Sequence, residues 1–290
     1  MQQTTLDSRP YLVINSNPST MATVTGYLRF LNIWIDAHKR NLLAPDKTVL
    51  IVGPGKREFD GNTHCPQVEE ALKLWNKSKI FVLDHNQSVL NAVKDIDHPR
   101  SCLYLRKSFK INKRVEDLAN LNEIKAKLIS KQRPESYLET IEFKINDENE
   151  LPSELPSFDT ILATFSLFYP IKDLAMCGQD ASCKKRVALL GKFLEKLNDR
   201  GVLYVDRDCM IALLANAEEI NDHENVGSFL TAKKIDILKE LIFEFCKVRV
   251  EIERLPCIAS INIQSQRGVY QPHEQAHGVE IKDAYVFVRV

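Results

Sequence analysis

Apolar positions along this chain fall into two periods, and the elements follow from where each period holds. A helical spacing of Val24, Tyr27, Leu28, Leu31, Trp34, Ile35 and Leu42 predicts a first helix over about 20–43, broken by Pro45-Asp46. Thr48-Val-Leu-Ile-Val52 is a short β-branched run ending in glycine and reads as a strand buried on both faces. A polar loop from Lys56 to His64 follows. Pro66 then opens a helix through Val68, Ala71, Leu72 and Trp75. Lys79–Leu83 is the next strand, ending in Asp84, and 86–95 is helical. Strand, helix, strand, helix is the α/β signature.

Further on, Ser101–Leu105 is compatible with a strand, 115–131 with a helix, and Ile141–Ile145 alternates as a third strand. Pro152 and Pro156 mark a loop before the strand Phe158–Ala163. A helix over 184–198, a strand Val202–Val205 and a helix over about 229–245 come next. Val248–Ile252 and Ala284–Val288 both alternate, so the chain is expected to end in a β-hairpin. No internal repeat is visible.

Composition narrows the class. The 290 residues carry 39 basic and 39 acidic side chains, 44% hydrophobic residues and 27% charged residues. That is globular composition, against extended disorder. A zero net charge argues against a dedicated nucleic-acid binder. No apolar run reaches bilayer-spanning length, and Met1–Pro10 lacks a signal-peptide pattern. Seven cysteines without framework spacing read as reduced thiols, so a cytoplasmic protein is expected. The neutral total hides two opposed neighbours. Residues 106–133 hold nine Lys/Arg against three acids (+6), and 135–159 hold eight acids against one lysine (−7). The basic stretch reads as a helical insertion over about 106–137. It is mostly a solvated face, and it is also where an anionic acceptor would be met.

Candidate chemistry starts at Gly53-Pro54-Gly55. Glycines at the carboxyl end of a parallel strand let a backbone approach a ligand, and that edge is where open α/β sheets bind. Asp84 ends the following strand, where an acid can accept hydrogen bonds from both ribose hydroxyls. It can equally cap the helix that begins near Asn86. His85 flanks it.

With these residues in place the sequence resembles the class I S-adenosylmethionine-dependent methyltransferases. Val49–Gly55 looks like their first motif, Phe81–Asn86 like their ribose-binding strand end, and Phe158–Pro170 like their fourth strand and substrate-facing loop. Leu197–Asp206 looks like the turn into their fifth strand. The resemblance covers roughly 46–290. It implies a doubly wound, Rossmann-like sheet of seven strands with a reversed last strand in a C-terminal antiparallel hairpin. The first 45 residues are then a helical extension, which packs on the core or covers the cofactor mouth. Implied too are S-adenosylmethionine as cofactor and methyl transfer to a small molecule or protein. Gly53 and Gly55 would meet the amino-acid end of the cofactor, Asp84 its ribose, and Asn146 or Asp147 its adenine. Thr164 and Phe165 would border the transfer site. His64, His85 and Tyr169 are the candidates by position for a general base, with His64 and Tyr169 leading.

Departures keep two alternatives open. Ile51 stands where the family often has an acid, Arg57 where a third glycine is common, and nine residues (56–64) precede the helix. They motivate a methyltransferase-like binding module without turnover. A nicotinamide-dependent Rossmann enzyme is a further reading, against which the missing third glycine and missing immediate helix both count. His273-Glu-Gln-Ala-His277 fits the zinc-peptidase H-E-x-x-H pattern, but Pro272 and Gly278 bracket it where a helix is required. A metal site is therefore not expected.

Overall fold

The computed structural model describes residues 32–59, 62–96, 123, 126, 135–145, 150–164, 167, 179–214, 231–262 and 278–290. Fifteen elements follow in chain order. Helix α1 covers residues 32–39. Then come β1 (Thr48–Val52), β2 (Arg57–Phe59), β3 (Asn62–His64), α2 (Pro66–Leu74), β4 (Lys79–Asp84), α3 (Gln87–Lys94) and β5 (Tyr137–Glu142). They are followed by β6 (Phe158–Ala163), α4 (Gln179–Glu195), β7 (Leu197–Asp206), α5 (Arg207–Leu214), α6 (Ala232–Cys246), β8 (Val250–Asn262) and β9 (Gly278–Arg289).

Seven strands form one sheet in the order β5-β4-β1-β6-β7-β9-β8. Pairings from β5 to β7 are parallel, and β9 runs antiparallel to both its neighbours. Counting only these strands in chain order gives 3-2-1-4-5-7-6. The order reverses between β1 and β6, and such a reversal opens a crevice at the carboxyl ends of the strands.

Alternate residues of each central strand feed two cores. Val49, Ile51, Ile80 and Val82 pack with α1, α2 and α3, whereas Leu50, Val52, Phe81 and Leu83 pack with α4, α5 and α6. Burial on both faces explains why 49–52 of β1, 80–83 of β4 and 161–163 of β6 are continuous apolar runs and not alternating ones.

Helix α1 is a packing element over its described length. Trp34 and Trp75 meet edge to face at 5.7 Å. Trp34 Nε1 donates to Glu70 Oε2 at 2.8 Å, and Trp75 Nε1 donates to the Leu42 carbonyl at 2.7 Å. Tyr27 and Phe30, the other aromatic residues of the expected helix, lie outside the described residues. Two residues on from Trp34, Asp36 receives the Tyr204 hydroxyl at 2.7 Å and Arg40 Nε at 2.8 Å, and Arg40 also reaches Glu253 on β8. This chain of bonds ties α1 to β7 and to the far edge of the sheet.

Burial, with the Asp36 carboxylate beside it, holds the Tyr204 hydroxyl well above its ordinary value. A folded-state value above the unfolded one means the bond contributes its full stability below about pH 10 and loses it as pH rises further. Tyr204→Phe is expected to cost about 1 kcal/mol at neutral pH. It should also flatten the decline in stability above pH 10. Urea unfolding at pH 7 and at pH 10.5 checks both; an equally steep alkaline decline in the variant would contradict it.

Three sequence expectations change. The third strand is Tyr137–Glu142 and not Ile141–Ile145, because its ladder begins where Tyr137 N bonds Ser78 O and runs along β4. The polar loop 56–64 contains a two-stranded hairpin, β2 with β3, in which Arg57 pairs with His64 and Phe59 with Asn62. Helix α5, directly after β7, was not expected at all. The stretch Ser101–Leu105 and most of the basic insertion lie outside the described residues; within it, Glu123 and Ala126 are helical. The terminal hairpin is present and longer than its alternating cores suggest.

Gly191 sits where α4 crosses α6. A Cβ there would lie 2.1 Å from Cys246 Sγ and 3.0 Å from its Cβ. The overlap outweighs the roughly 1 kcal/mol that alanine gains over glycine inside a helix. Gly191→Ala is expected to destabilise by about 1–3 kcal/mol. Adding Cys246→Ala should recover most of that loss, measured as a double-mutant cycle in urea. Additive losses would show that the contact is not the cause.

Candidate functional site

Three neighbouring strand ends build the site. β4 ends at Asp84, β1 at the glycine turn and β6 at Thr164. Gly53 and Gly55 both have left-handed backbones, with φ of 57° and 64°. Only glycine takes that conformation without strain. A Cβ built on Gly55 meets nothing within 4 Å, so that glycine serves the turn's conformation and leaves open space above it. Pro54 between them is half-buried. Gly53 N donates to the Leu83 carbonyl at 2.8 Å, which fixes the turn against the end of β4.

Asp84 is 5% exposed. Its Oδ1 accepts from Asn86 N at 2.8 Å, and Asn86 in turn caps α3 by accepting from Ser88 N. The helix-cap role expected for Asp84 therefore belongs to Asn86, and Asp84 holds Asn86 in place. His85 Nδ1 lies 3.5 Å from the same Oδ1, with an otherwise exposed ring. Both recorded contacts, among the described residues, use Oδ1. Glu142 stands level with Asp84 on β5, and Phe143 N donates to the Asp84 carbonyl, carrying 143–145 past the strand end.

On the other side of β1 the register pairs Val49, Leu50 and Ile51 with Thr160, Ile161 and Leu162. The same offset carried two residues further brings Thr164 level with Gly53. Thr164 is buried, and its Oγ1 accepts from Gln67 Nε2 at 3.2 Å. Gln67, also buried, lies in the first turn of α2 and is a site residue that the sequence did not reveal. Behind Thr164, Cys209 Sγ approaches the Ala163 carbonyl at 3.8 Å, and Cys209 N is capped by Asp206 at 2.7 Å.

The start of α2 is not an anion site. Glu69 Oε1 accepts the Cys65 N–H at 3.2 Å, so a carboxylate already faces the orphan donors of the first turn.

The structure thus brings Gly53, Pro54, Gly55, Asp84, His85 and Thr164 to one edge. His64 is placed by its backbone in the β2–β3 hairpin. Asn146, Asp147, Phe165, Tyr169 and the His273–His277 pattern lie outside the described residues. Among those described, no three His, Cys, Asp or Glu side chains are grouped to hold a metal, and no helix is long and apolar enough to cross a membrane.

No family model matches the chain, and no curated protein does. Solved structures do. TrmN from Thermus thermophilus aligns over 89% of this chain at 13% identity and TM-score 0.38, this chain spanning 49% of that one. An S-adenosylmethionine-dependent methyltransferase from Methanosarcina mazei aligns over 87% of this chain and 97% of its own at 10% identity and TM-score 0.37. A methyltransferase from Pyrococcus furiosus aligns over 96% and 88% at 12% identity and TM-score 0.38. Likeness this low leaves the assignment to the sheet itself. A 3-2-1-4-5-7-6 order with only the last strand reversed, helices on both faces and a glycine turn at the switch point give the chain the class I methyltransferase fold.

Proposed function

We propose that the chain binds S-adenosylmethionine along the ends of β4, β1 and β6 and transfers its methyl group to a small-molecule or protein acceptor. The observation that carries this is the pairing of a left-handed glycine turn with a buried carboxylate at the next strand end, on a sheet of this order. The residues fit the cofactor. Asp84 presents a fixed carboxylate to vicinal hydroxyl donors, and the space above Gly55 accepts a ligand chain close to the backbone. Once bound, the cofactor supplies an already activated methyl group, so the chain's task is alignment. Asp84 would fix the ribose, the Gly53–Gly55 turn would fix the amino-acid end, and Thr164 would border the acceptor. His64 and Tyr169 remain the candidates for taking a proton from a protonated acceptor. An anionic acceptor is the class that the basic stretch 106–133 favours.

The start of α2 bears on the nicotinamide alternative. A dinucleotide's pyrophosphate rests on a helix N-terminus directly after the glycine turn. Here a hairpin intervenes, and the Glu69 carboxylate takes the Cys65 N–H. A second carboxylate, Glu142 level with Asp84, further disfavours a phosphorylated ribose. S-adenosylmethionine carries no phosphate and meets neither obstacle. Seven cysteines without framework spacing support a reducing compartment, and the cytoplasm is the location this reading favours.

Calorimetric titration with S-adenosylhomocysteine tests the reading. Saturable one-to-one binding is expected. A folded sample that shows none at millimolar ligand overturns it, and binding without methyl transfer to any acceptor would favour the silent binding module.

A further inference from the structure

We propose that the β2–β3 hairpin is the acceptor-reading element of this chain, and that the face carrying Arg57, Phe59, Asn62 and His64 selects a flat aromatic acid. That this ligand is the methyl acceptor rests on the cofactor reading above; that the hairpin binds it does not.

The register fixes which residues share a face. Arg57 pairs with His64, Glu58 with Thr63 and Phe59 with Asn62. Successive residues of a strand alternate between faces, and directly opposed residues share one. Arg57, Phe59, Asn62 and His64 therefore stand on one face, and Glu58 and Thr63 on the other. Thr63 is exposed, so its face is the solvent face. Opposed Cβ atoms lie about 5 Å apart, and next-but-one residues of a strand about 7 Å apart. The four positions thus mark out the footprint of a single aromatic ring. They assign to it one cation, one aromatic residue, one amide and one imidazole, whereas Glu58, the one acid of the two strands, is on the opposite face.

Both ends of the hairpin are tied at the site. β2 follows the glycine turn, where Gly53 N donates to the Leu83 carbonyl. β3 leads into buried Cys65, whose N–H donates to Glu69, and Gln67 of the same helical turn reaches Thr164 at the end of β6. Arg57 and His64 are the pair at the root, between the turn assigned to the cofactor and the strand end assigned to the acceptor. A connection alone needs no ladder. A ladder fixes four positions on one face, and recognition depends on positions fixed in advance. Charge then selects the acid. Asp84 and Glu142 stand at the β4–β5 side of this edge, and Glu69 faces the first turn of α2, so both repel an acidic ligand. Arg57 supplies a planar fork of donors that matches a carboxylate, and Phe59 a ring for the aromatic part.

Benzoate, benzamide and inorganic phosphate separate the requirements of charge and ring. Each is titrated into the protein saturated with S-adenosylhomocysteine and, in parallel, into the protein alone. The signal is the His64 ring resonance, identified by its loss in His64→Gln. Benzoate should shift it saturably at millimolar concentration, and benzamide and phosphate should bind about tenfold more weakly or worse. Arg57→Gln should weaken benzoate about tenfold to a hundredfold, the scale of a hydrogen bond to a charged group. Phe59→Leu should weaken it about twofold to tenfold, the scale of a ring–ring contact. Glu58→Gln, on the other face, should leave it unchanged. Benzamide or phosphate binding as well as benzoate, full benzoate affinity in Arg57→Gln, or no saturable shift in the folded wild type would each overturn the proposal. Benzoate binding to a protein that does not bind S-adenosylhomocysteine would keep the hairpin site and overturn its part in methyl transfer. S-adenosylhomocysteine binding without benzoate binding would overturn the hairpin site and leave the cofactor reading standing.

Discussion

Asp84→Ala is expected to reduce affinity for S-adenosylhomocysteine by two to three orders of magnitude. Two ribose hydroxyls donating to one carboxylate form two charge-assisted bonds, each of about 1.5–3 kcal/mol. Oδ1 is already engaged with Asn86 N, so the loss falls mainly on the ligand's share of the carboxylate. Asp84→Asn separates the two roles. Its amide oxygen can still accept from Asn86 N and keep α3 anchored, but its NH₂ offers a donor where the ribose needs an acceptor. It should therefore retain the fold and lose at least tenfold in affinity. Ligand-induced stabilisation gives an independent readout. At a hundred times the wild-type Kd it amounts to about 2.7 kcal/mol, and it should nearly vanish in Asp84→Ala. Unchanged affinity in a folded Asp84→Ala protein would remove the ribose from that strand end, and with it the orientation assigned to the cofactor.

What the sequence made legible follows from burial. Strand β1 was readable to its last residue because both its faces are covered and nothing polar interrupts Thr48–Val52. Asp84 and the glycine turn were visible because special backbone and special charge stand at strand ends. The β2–β3 hairpin was not, since three-residue strands of mostly polar side chains carry no period. The sequence does carry Asp60-Gly61, a dipeptide that two-residue hairpin loops favour. Gln67 was hidden for a different reason. A glutamine in a helix reads as solvated until a residue 97 positions away covers it. The same holds for Glu69, Glu70 and Lys73, polar in pattern and buried in the fold. The third strand begins four residues before its alternation does, because it is an edge, where alternation is loose and the backbone bonds to β4 decide where the ladder begins.

The burial of Glu70 leads to the other large effect. Trp34→Ala is expected to destabilise the protein by about 3–5 kcal/mol, a large part of the 5–15 kcal/mol that holds a typical domain together. The ring is 1% exposed, fills the space between α1 and α2, and makes an edge-to-face contact with Trp75. Its removal leaves a cavity where α1 crosses the sheet and withdraws a donor from a carboxylate inside the core. Trp34→Phe distinguishes the two contributions: it retains a ring but no donor, and should cost about 1–3 kcal/mol, the price of a buried acceptor losing its bond. In a cycle with Trp75→Ala the two rings should couple by about 0.5–1.5 kcal/mol. The consequence reaches the site, because α2 carries Trp75 on the same body as Gln67. Trp34→Ala should thus lower S-adenosylhomocysteine affinity as well, through loosened placement of α2, whereas Tyr204→Phe, whose hydroxyl bonds Asp36 on α1, should leave it unchanged. Chemical unfolding paired with calorimetry decides the matter. A Trp34→Ala protein as stable as the wild type would reduce α1 to a peripheral arm and detach the first 45 residues from the architecture of the site.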